Sequence, residues 1–363
     1  MADDQDDTVD QTGDDADQTG DDTDQTGDDA GQTGDDAGQP GDDAVTARRI
    51  LTDIAPHSWE HPADKAALQA LRRIPVFDEI LRKIFGFMTE RAFRLAFQAS
   101  SVKVSKNQFP KVYSIYKECL ETLDVEEEYP LFISQTPIVN AGAWGMEQPF
   151  IILNSGTVRL LDDDQLAYVI GHEIGHIMSD HVLYKSMTVI LLNLATTGFP
   201  IVGLAARAIL VALLEWQRKS ELSSDRAGLL TVQDPDIVLG TMLKMAGGGE
   251  DNESNLQEYI IQAEEYRESG DMADQVLKVL NLLAQTHPFY TIRVSELRAW
   301  IETGDYDRIV RGEYARRGEP DPAYKDDLKA AVSSYADDAK DFVDNITDSA
   351  KRMGTDFMSG FKK

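Results

Sequence analysis

The sequence predicts an α+β fold, mostly helical, with a small β-sheet set against one histidine-bearing helix, and three observations carry that expectation. Long stretches place apolar residues at three- and four-residue spacing, the period of a half-buried helix. Three short β-rich segments, "PLFIS", "PIVNAGA" and "PFIILN", follow one another between residues 130 and 154. Soon after them, "DDDQLAYVIGHEIGHIMSDH" runs from an acidic helix start, Asp162 to Asp164, into two histidines four residues apart.

Residues 1–43 contribute nothing to that fold. They hold 17 Asp and no Lys or Arg, in a seven-residue repeat visible as "DDADQTG", "DDTDQTG", "DDAGQTG" and "DDAGQPG". Low hydrophobicity with like charge predicts a disordered acidic tail, and the period of seven is no coiled coil because apolar a and d positions are missing. Without these 17 Asp the net charge moves from −29 to −12. The remainder is still acidic and shows no concentrated basic patch, so its charge argues against a nucleic-acid partner. Neither a basic n-region nor an apolar h-region opens the sequence, which predicts no secretory signal and a cytoplasmic location.

Residues 44–107 read as an N-terminal helical region, from "DKAALQALRRI" to "VFDEILRKIFGFMTERAFRLAFQAS". The second segment mixes Arg and Lys with Phe and Leu; packing on the core is its ordinary fate, a membrane surface or partner the alternative. Residues 108–302 form the central domain: the small sheet, the histidine helix, then helices near 236–246, 253–268 and 271–285. Residues 303–363 read as a linker and a C-terminal amphipathic helix, on which Leu328, Val332, Tyr335, Ala339, Phe342, Val343 and Ile346 recur at three and four spacing.

One segment imitates a membrane span. "MTVILLNLATTGFPIVGLAARAILVALL", residues 187–214, is long and apolar but interrupted by Gly198, Pro200 and Gly203, and it carries Arg207. Each half is about 14 residues, roughly 21 Å as a helix against ~30 Å of hydrocarbon. The expectation is a helical hairpin, buried or facing another subunit, ahead of shallow insertion or true spanning. Peripheral membrane contact and a homo-oligomer both remain open on these grounds.

The chemistry lies in "HEIGH". Four residues is 400° of helix rotation, so His172 and His176 project from one face and both imidazoles can reach a single ion. Glu173 stands 100° to the side, the offset of a base that works on the attacking water rather than on the metal. A catalytic zinc needs a third protein ligand. The spacing that puts a third histidine six residues after the second is absent, since Ser179 and Val182 fill the +3 and +6 positions. His181, about 180° around a continuous helix from His172, is read as a capping or core residue outside the site. Downstream, "EWQRKSELSSDRAGLL" offers Glu221 and Asp225 at i,i+4. Alone this pair is a solvated helix face; beside HExxH, Glu221 reads as the third ligand and Asp225 as the acceptor that fixes a ligand histidine's tautomer. Cys119, the single cysteine, excludes an internal disulfide and reads as a buried thiol, with an inhibitory zinc thiolate as the alternative.

HExxH followed by a distant ExxxD resembles the gluzincin metallopeptidases of the HtpX and type 1 CAAX prenyl protease kind. "THPFYTIR" matches that family's HPxxxxR through His287, Pro288 and Arg293, and "VNAGAWG" matches its NAxA strand through Asn140, Ala141, Gly142 and Ala143. The resemblance covers roughly residues 110–302, with the four motifs in the family's order. It implies a gluzincin-type core, one Zn2+ per chain on His172, His176 and Glu221, and Glu173 as general base. It further implies an edge strand at Asn140 to Ala143 that binds an extended peptide through its backbone. His287 is the expected second contact to the oxyanion, directly or with Arg293 behind it. The expected function is zinc-dependent endopeptidase action on a peptide or unfolded protein, in protein quality control. The rival reading is a zinc-containing scaffold or binding protein with weak or blocked activity, motivated by the C-terminal helix that could occlude a cleft.

Overall fold

The three β-rich segments are strands β2 (Leu131–Ser134), β3 (Ala141–Trp144) and β4 (Phe150–Asn154), joined by a short β1 (Ser101–Lys103) into one sheet of order β1-β2-β4-β3. In this computed structural model, residues 48–72, 90–196, 204–248, 254–268 and 289–320 are described. They belong to one compact unit, Ala47–Lys363. The acidic repeat, the helix expected at 271–285, His287 and the C-terminal amphipathic helix lie outside the described residues. β2 and β4 run parallel and both outer pairs are antiparallel, which leaves β3 at an edge. β1 corrects the all-helical reading of residues 44–107, because three residues are too few to reveal a two-residue period.

The two inner strands are covered on both faces, which explains their near-continuous apolar runs. Leu131, Ile133, Ile151 and Leu153 enter the main core, while Phe132, Phe150 and Ile152 enter a second apolar cluster. Helices α1 (Pro62–Arg72), α2 (Glu90–Gln98), α3 (Pro110–Thr122) and the short α4 (Ser155–Leu160) surround the sheet in the sequence. Trp144 of β3 stacks on Phe97 of α2 with ring centroids 5.7 Å apart.

The histidine helix is α5 (Asp163–Met178). Asp162 caps it: its side chain accepts from the Gln165 amide while the Gln165 side chain accepts from the Asp162 amide, a reciprocal box that satisfies two otherwise orphaned donors. The Ser179 amide closes the last turn on the Gly175 carbonyl, and Asp180 takes a left-handed conformation at φ 57°. The chain therefore breaks and restarts as α6 (His181–Thr196). This corrects the placement of His181 on the far side of one continuous helix, since its angular position belongs to a different element.

Beyond α6 comes α7 (Leu204–Val232), 29 residues and about 43 Å long. α5 and α7 form the most extensive helix pair of the described residues. Their approach depends on missing side chains: a Cβ on Gly175 would lie 2.4 Å from the Ala227 Cβ, and one on Gly228 would lie 2.7 Å from the Tyr168 ring. α1 packs on α7, α3 on α5, and α6 on α7. The remaining α-helices of the described residues are α8 (Pro235–Gly247), α9 (Leu256–Glu268), α10 (Tyr290–Glu302) and α11 (Asp305–Val310).

The segment that imitates a membrane span is divided between α6 and the first part of α7. Met187, Ile190 and Leu191 join Ile209, Leu213 and Trp216 in the second apolar cluster, against Phe132, Phe150 and Ile152. Two packed helices flank residues 197–203, as a hairpin requires. The second half is longer than the 14 residues expected, because helical periodicity continues through polar residues to Val232. Among the described residues no helix is long and apolar enough to cross a membrane.

Candidate metal centre

α5 and α7 place three side chains around one point. His172 Nε2 lies 3.3 Å from Glu221 Oε2, and His176 Nε2 lies 3.2 Å from Glu221 Oε1. Donors held at 2.0–2.2 Å by a tetrahedral ion are separated by about 3.4 Å, so these spacings fit one divalent ion. His172, His176 and Glu221 are the metal-capable cluster of the described residues, with one ligand atom from each lying within 4.8 Å of the others. All three are buried, and His176 Nε2 has no hydrogen-bond partner among the described residues. Buried charge crowds the same place: the carboxylates of Glu173, Glu221 and Asp225 lie within 4.0 Å of the buried cations Lys185 or Arg293.

Asp225, one turn along α7 from Glu221, lies behind His172 with Oδ1 3.0 Å from Nδ1. The same carboxylate accepts from the Tyr168 hydroxyl at 2.8 Å and from two guanidinium nitrogens of Arg293, at 2.8 and 2.5 Å. Burial opposes ionising Asp225, yet the Arg293 charge outweighs it and the carboxyl sits below its ordinary range. Burial, reinforced by Asp225, raises the Tyr168 hydroxyl well above its usual value, so Tyr168 stays a donor. Burial also disfavours charge on His172, but hydrogen bonds to Asp225 and Glu221 prevail and raise the imidazole to about 9. His176, with desolvation and the Lys185 charge against it, is held well below its ordinary value.

Glu173, 3% exposed, turns toward the sheet, where its Oε2 accepts the Ala143 amide at 2.6 Å. The edge strand and the candidate base are thus in direct contact. Ala141, Gly142 and Ala143 lie in β3, whose register pairs Ala141 with Leu153 and Ala143 with Ile151. Asn140 precedes the strand: its backbone is pinned to Thr157 Oγ1, and its side chain accepts the Ala141 amide. A cleft of about 750 Å³ opens over His172, Glu173 and Glu221. Asn140 and Ala141 line it, as do Tyr259, Tyr266, Phe289 and Tyr290. Arg293 also reaches it, although its charge is committed to Asp225.

Two buried residues, Lys185 and Asp64, escaped the sequence reading, and a third, His181, was placed outside the site. Lys185 brings its Nζ 3.6 Å from Glu221 and 4.0 Å from Glu173. Its signal was available, since it is the single formally charged residue in the apolar helix α6. His181 meets His176 with their Nδ1 atoms 3.0 Å apart, and its Nε2 lies 2.9 Å from Asp64. Asp64 sits in the first turn of an unremarkable helix, and nothing in its sequence surroundings marks it. Cys119 is fully buried on α3, its thiol directed at the Ala167 carbonyl and pushed up to about 12 by burial.

The comparisons with known proteins bear on the same segment. The profile described as Peptidase family M48 matches residues 106–301, more than half of the chain. The chain belongs to peptidase family M48. An M48 relative, the plastoglobule-localized metallopeptidase 48, chloroplastic, of Arabidopsis thaliana, is 30% identical over 268 residues, 72% of this chain and 77% of its own length. A protease HtpX homolog of Helicobacter pylori (strain Shi470) is 31% identical over 94 residues, which cover 25% of this chain and 30% of that protein. No solved structure gives a significant match. M48 members are metal-dependent peptidases, so this chain is a metallopeptidase whose substrates are peptides or proteins.

Proposed function

We propose that this M48 chain is a zinc-dependent endopeptidase that cuts extended or unfolded protein segments, with one zinc ion per chain on His172, His176 and Glu221. The observation that carries the reading is the convergence of both imidazole Nε2 atoms on the Glu221 carboxylate, with Glu173 beside them in hydrogen-bond contact with the edge strand. Two neutral nitrogen donors and one carboxylate suit zinc, whose catalytic sites take three protein ligands and leave one position open. When bound, the ion supplies Lewis acidity and brings the pKa of water toward neutrality.

The chain's own residues perform the remaining work. β3 receives the substrate as an added strand, pairing through the backbone groups of Ala141 to Ala143 once substrate replaces the Asn140 side chain and Glu173 on the Ala141 and Ala143 amides, so the cut is placed by main chain rather than by side-chain identity. Glu173 accepts a proton as the water oxygen bonds to the scissile carbonyl carbon, then delivers it to the leaving amine nitrogen as the C–N bond breaks. Asp225 orients His172, and Arg293 holds Asp225, which makes both positioning residues. His287 is assigned the second contact to the tetrahedral oxyanion. The aromatic wall of Tyr259, Tyr266, Phe289 and Tyr290 suits apolar side chains near the cut, as unfolded segments expose.

That preference supports a role in protein quality control, in the cytoplasm or against a membrane surface. Wild type and Glu173→Gln, both loaded with zinc, are compared on an unfolded protein substrate. The expected outcome is equal zinc content and a loss of at least about a hundredfold in cleavage by the variant. Equal cleavage removes Glu173 from the mechanism, and absence of zinc from the wild type removes the metal assignment. Alkaline extraction and liposome flotation of the full chain test the membrane contact.

A further inference from the structure

We propose that Asp64, acting through His181, is a positioning group for the ligand histidine His176, so that helix α1 is a working part of the metal centre although it precedes the M48 match. The inference rests on the metal reading above. His176 Nδ1 and His181 Nδ1 are 3.0 Å apart, and His181 Nε2 is 2.9 Å from Asp64 Oδ2. His176, His181 and Asp64 are 0%, 1% and 2% exposed, so water does not substitute for any of these contacts.

The geometry assigns the protons. A neutral histidine that binds a metal through Nε2 carries its hydrogen on Nδ1. His176 therefore donates to His181, which must present a lone pair at its own Nδ1, because two N–H groups facing each other at this distance repel. The His181 hydrogen is then on Nε2, and it donates to Asp64. Asp64 is built to accept: Trp216 Nε1 donates to its Oδ1 at 2.9 Å and the Ser223 hydroxyl to its Oδ2 at 2.6 Å. The Ser223 oxygen in turn accepts the His61 amide at 2.9 Å, which directs its own hydrogen toward Asp64. Every donor in the chain points toward the carboxylate, so one tautomer is selected at each imidazole.

The anion does for His176 what a carboxylate in direct contact does for other ligand histidines: it holds the ring in plane and strengthens its free nitrogen as a donor to the metal. An amide in place of Asp64 cannot reproduce this, since its NH2 group would face one of the three donors. His181 carries the effect across a gap that the short Asp64 side chain does not span.

The test uses the full chain, with zinc affinity measured by chelator competition and histidine tautomers read from 15N chemical shifts of the zinc-loaded protein. Asp64→Asn and His181→Phe are expected to weaken zinc binding by about ten- to a hundredfold. In the wild type His181 is expected to carry its hydrogen on Nε2, and in Asp64→Asn the His176 Nδ1 resonance is expected to shift. Folded variants that bind zinc within twofold of wild type, with an unshifted His176 resonance, overturn the proposal even if their stability falls. Should neither variant fold, the wild-type spectrum decides: a His181 protonated on Nδ1, or on both nitrogens, overturns it. A wild type that binds no zinc refutes the metal assignment itself, an outcome distinct from equal binding by wild type and variants.

Discussion

The two candidate ligand histidines stand one turn apart on the same helix, yet the protein supports them by opposite means. Behind His172 the carboxylate of Asp225 is in direct contact and is itself clamped by a cation, Arg293, and by Tyr168. Behind His176 the carboxylate of Asp64 is one imidazole further away, and its partners are His181, Trp216 and Ser223. One arm is an ion pair within the central domain, and the other is a relay of neutral donors reaching into the N-terminal helix. Both deliver a fixed tautomer, but removing the anion strands a buried charge in only one of them.

That asymmetry sets the largest expected effect. Asp225→Asn takes from Arg293, 5% exposed, the carboxylate it grips with two nitrogens and leaves it Glu221 at 4.0 Å; a broken buried pair costs about 3–5 kcal/mol. Asp64→Asn strands no cation and should cost nearer ~1–3 kcal/mol, the range for a buried group left unsatisfied. Urea denaturation of the metal-free proteins measures both, and equal losses would erase the distinction between the arms.

A second substitution strikes both arms together. In Gly175→Val the new Cβ meets Ala227, at 2.4 Å before relaxation, and overpacking of this kind costs about 1–3 kcal/mol. Because the separation of α5 from α7 sets the distance of each histidine from Glu221, zinc affinity is expected to fall as well. A variant that loses stability but keeps wild-type affinity would show that the helices tolerate displacement without moving the ligands.

pH separates the arms more gently. In the metal-free protein His172 is raised to about 9 by its hydrogen bonds to Asp225 and Glu221, which overcome burial, from an ordinary value of 6.5. A raised folded-state value means that the charged form stabilises the fold. That contribution is complete below pH 6.5, fades above it, and is gone once pH has risen through about 9. The melting temperature of a metal-stripped sample should fall by a few degrees across this window, and Asp225→Asn should flatten the slope. An unchanged slope in that variant would detach the titration from the direct arm.

The smallest effect is expected at Cys119→Ala. The thiol is buried against the Ala167 carbonyl with its pKa near 12. Zinc affinity is therefore expected to match wild type, and a change would mean that α3 carries a third route to the metal.

The sequence alone brought the candidate ligands to light wherever the spacing is local. HExxH at i,i+4 and Glu221 with Asp225 at i,i+4 are constraints within single helices, and helix geometry transmits them without reference to the rest of the chain. The three longer strands were legible for a similar reason, as short β-rich runs bounded by turn residues. A three-residue strand such as β1 is too short to carry such a signal. Only the tertiary structure decided which residues stand behind the ligands. Asp64 reaches the centre because α1 packs on α7, and His181 reaches it because a left-handed Asp180 ends one helix and begins another; neither packing nor a turn of that kind leaves a period in the sequence. The described part of the membrane-like run found its packing partners in the same way. Its apolar residues are equally at home in lipid or in a core, and it is the sheet residues Phe132, Phe150 and Ile152, distant in sequence, that supply the surface they cover.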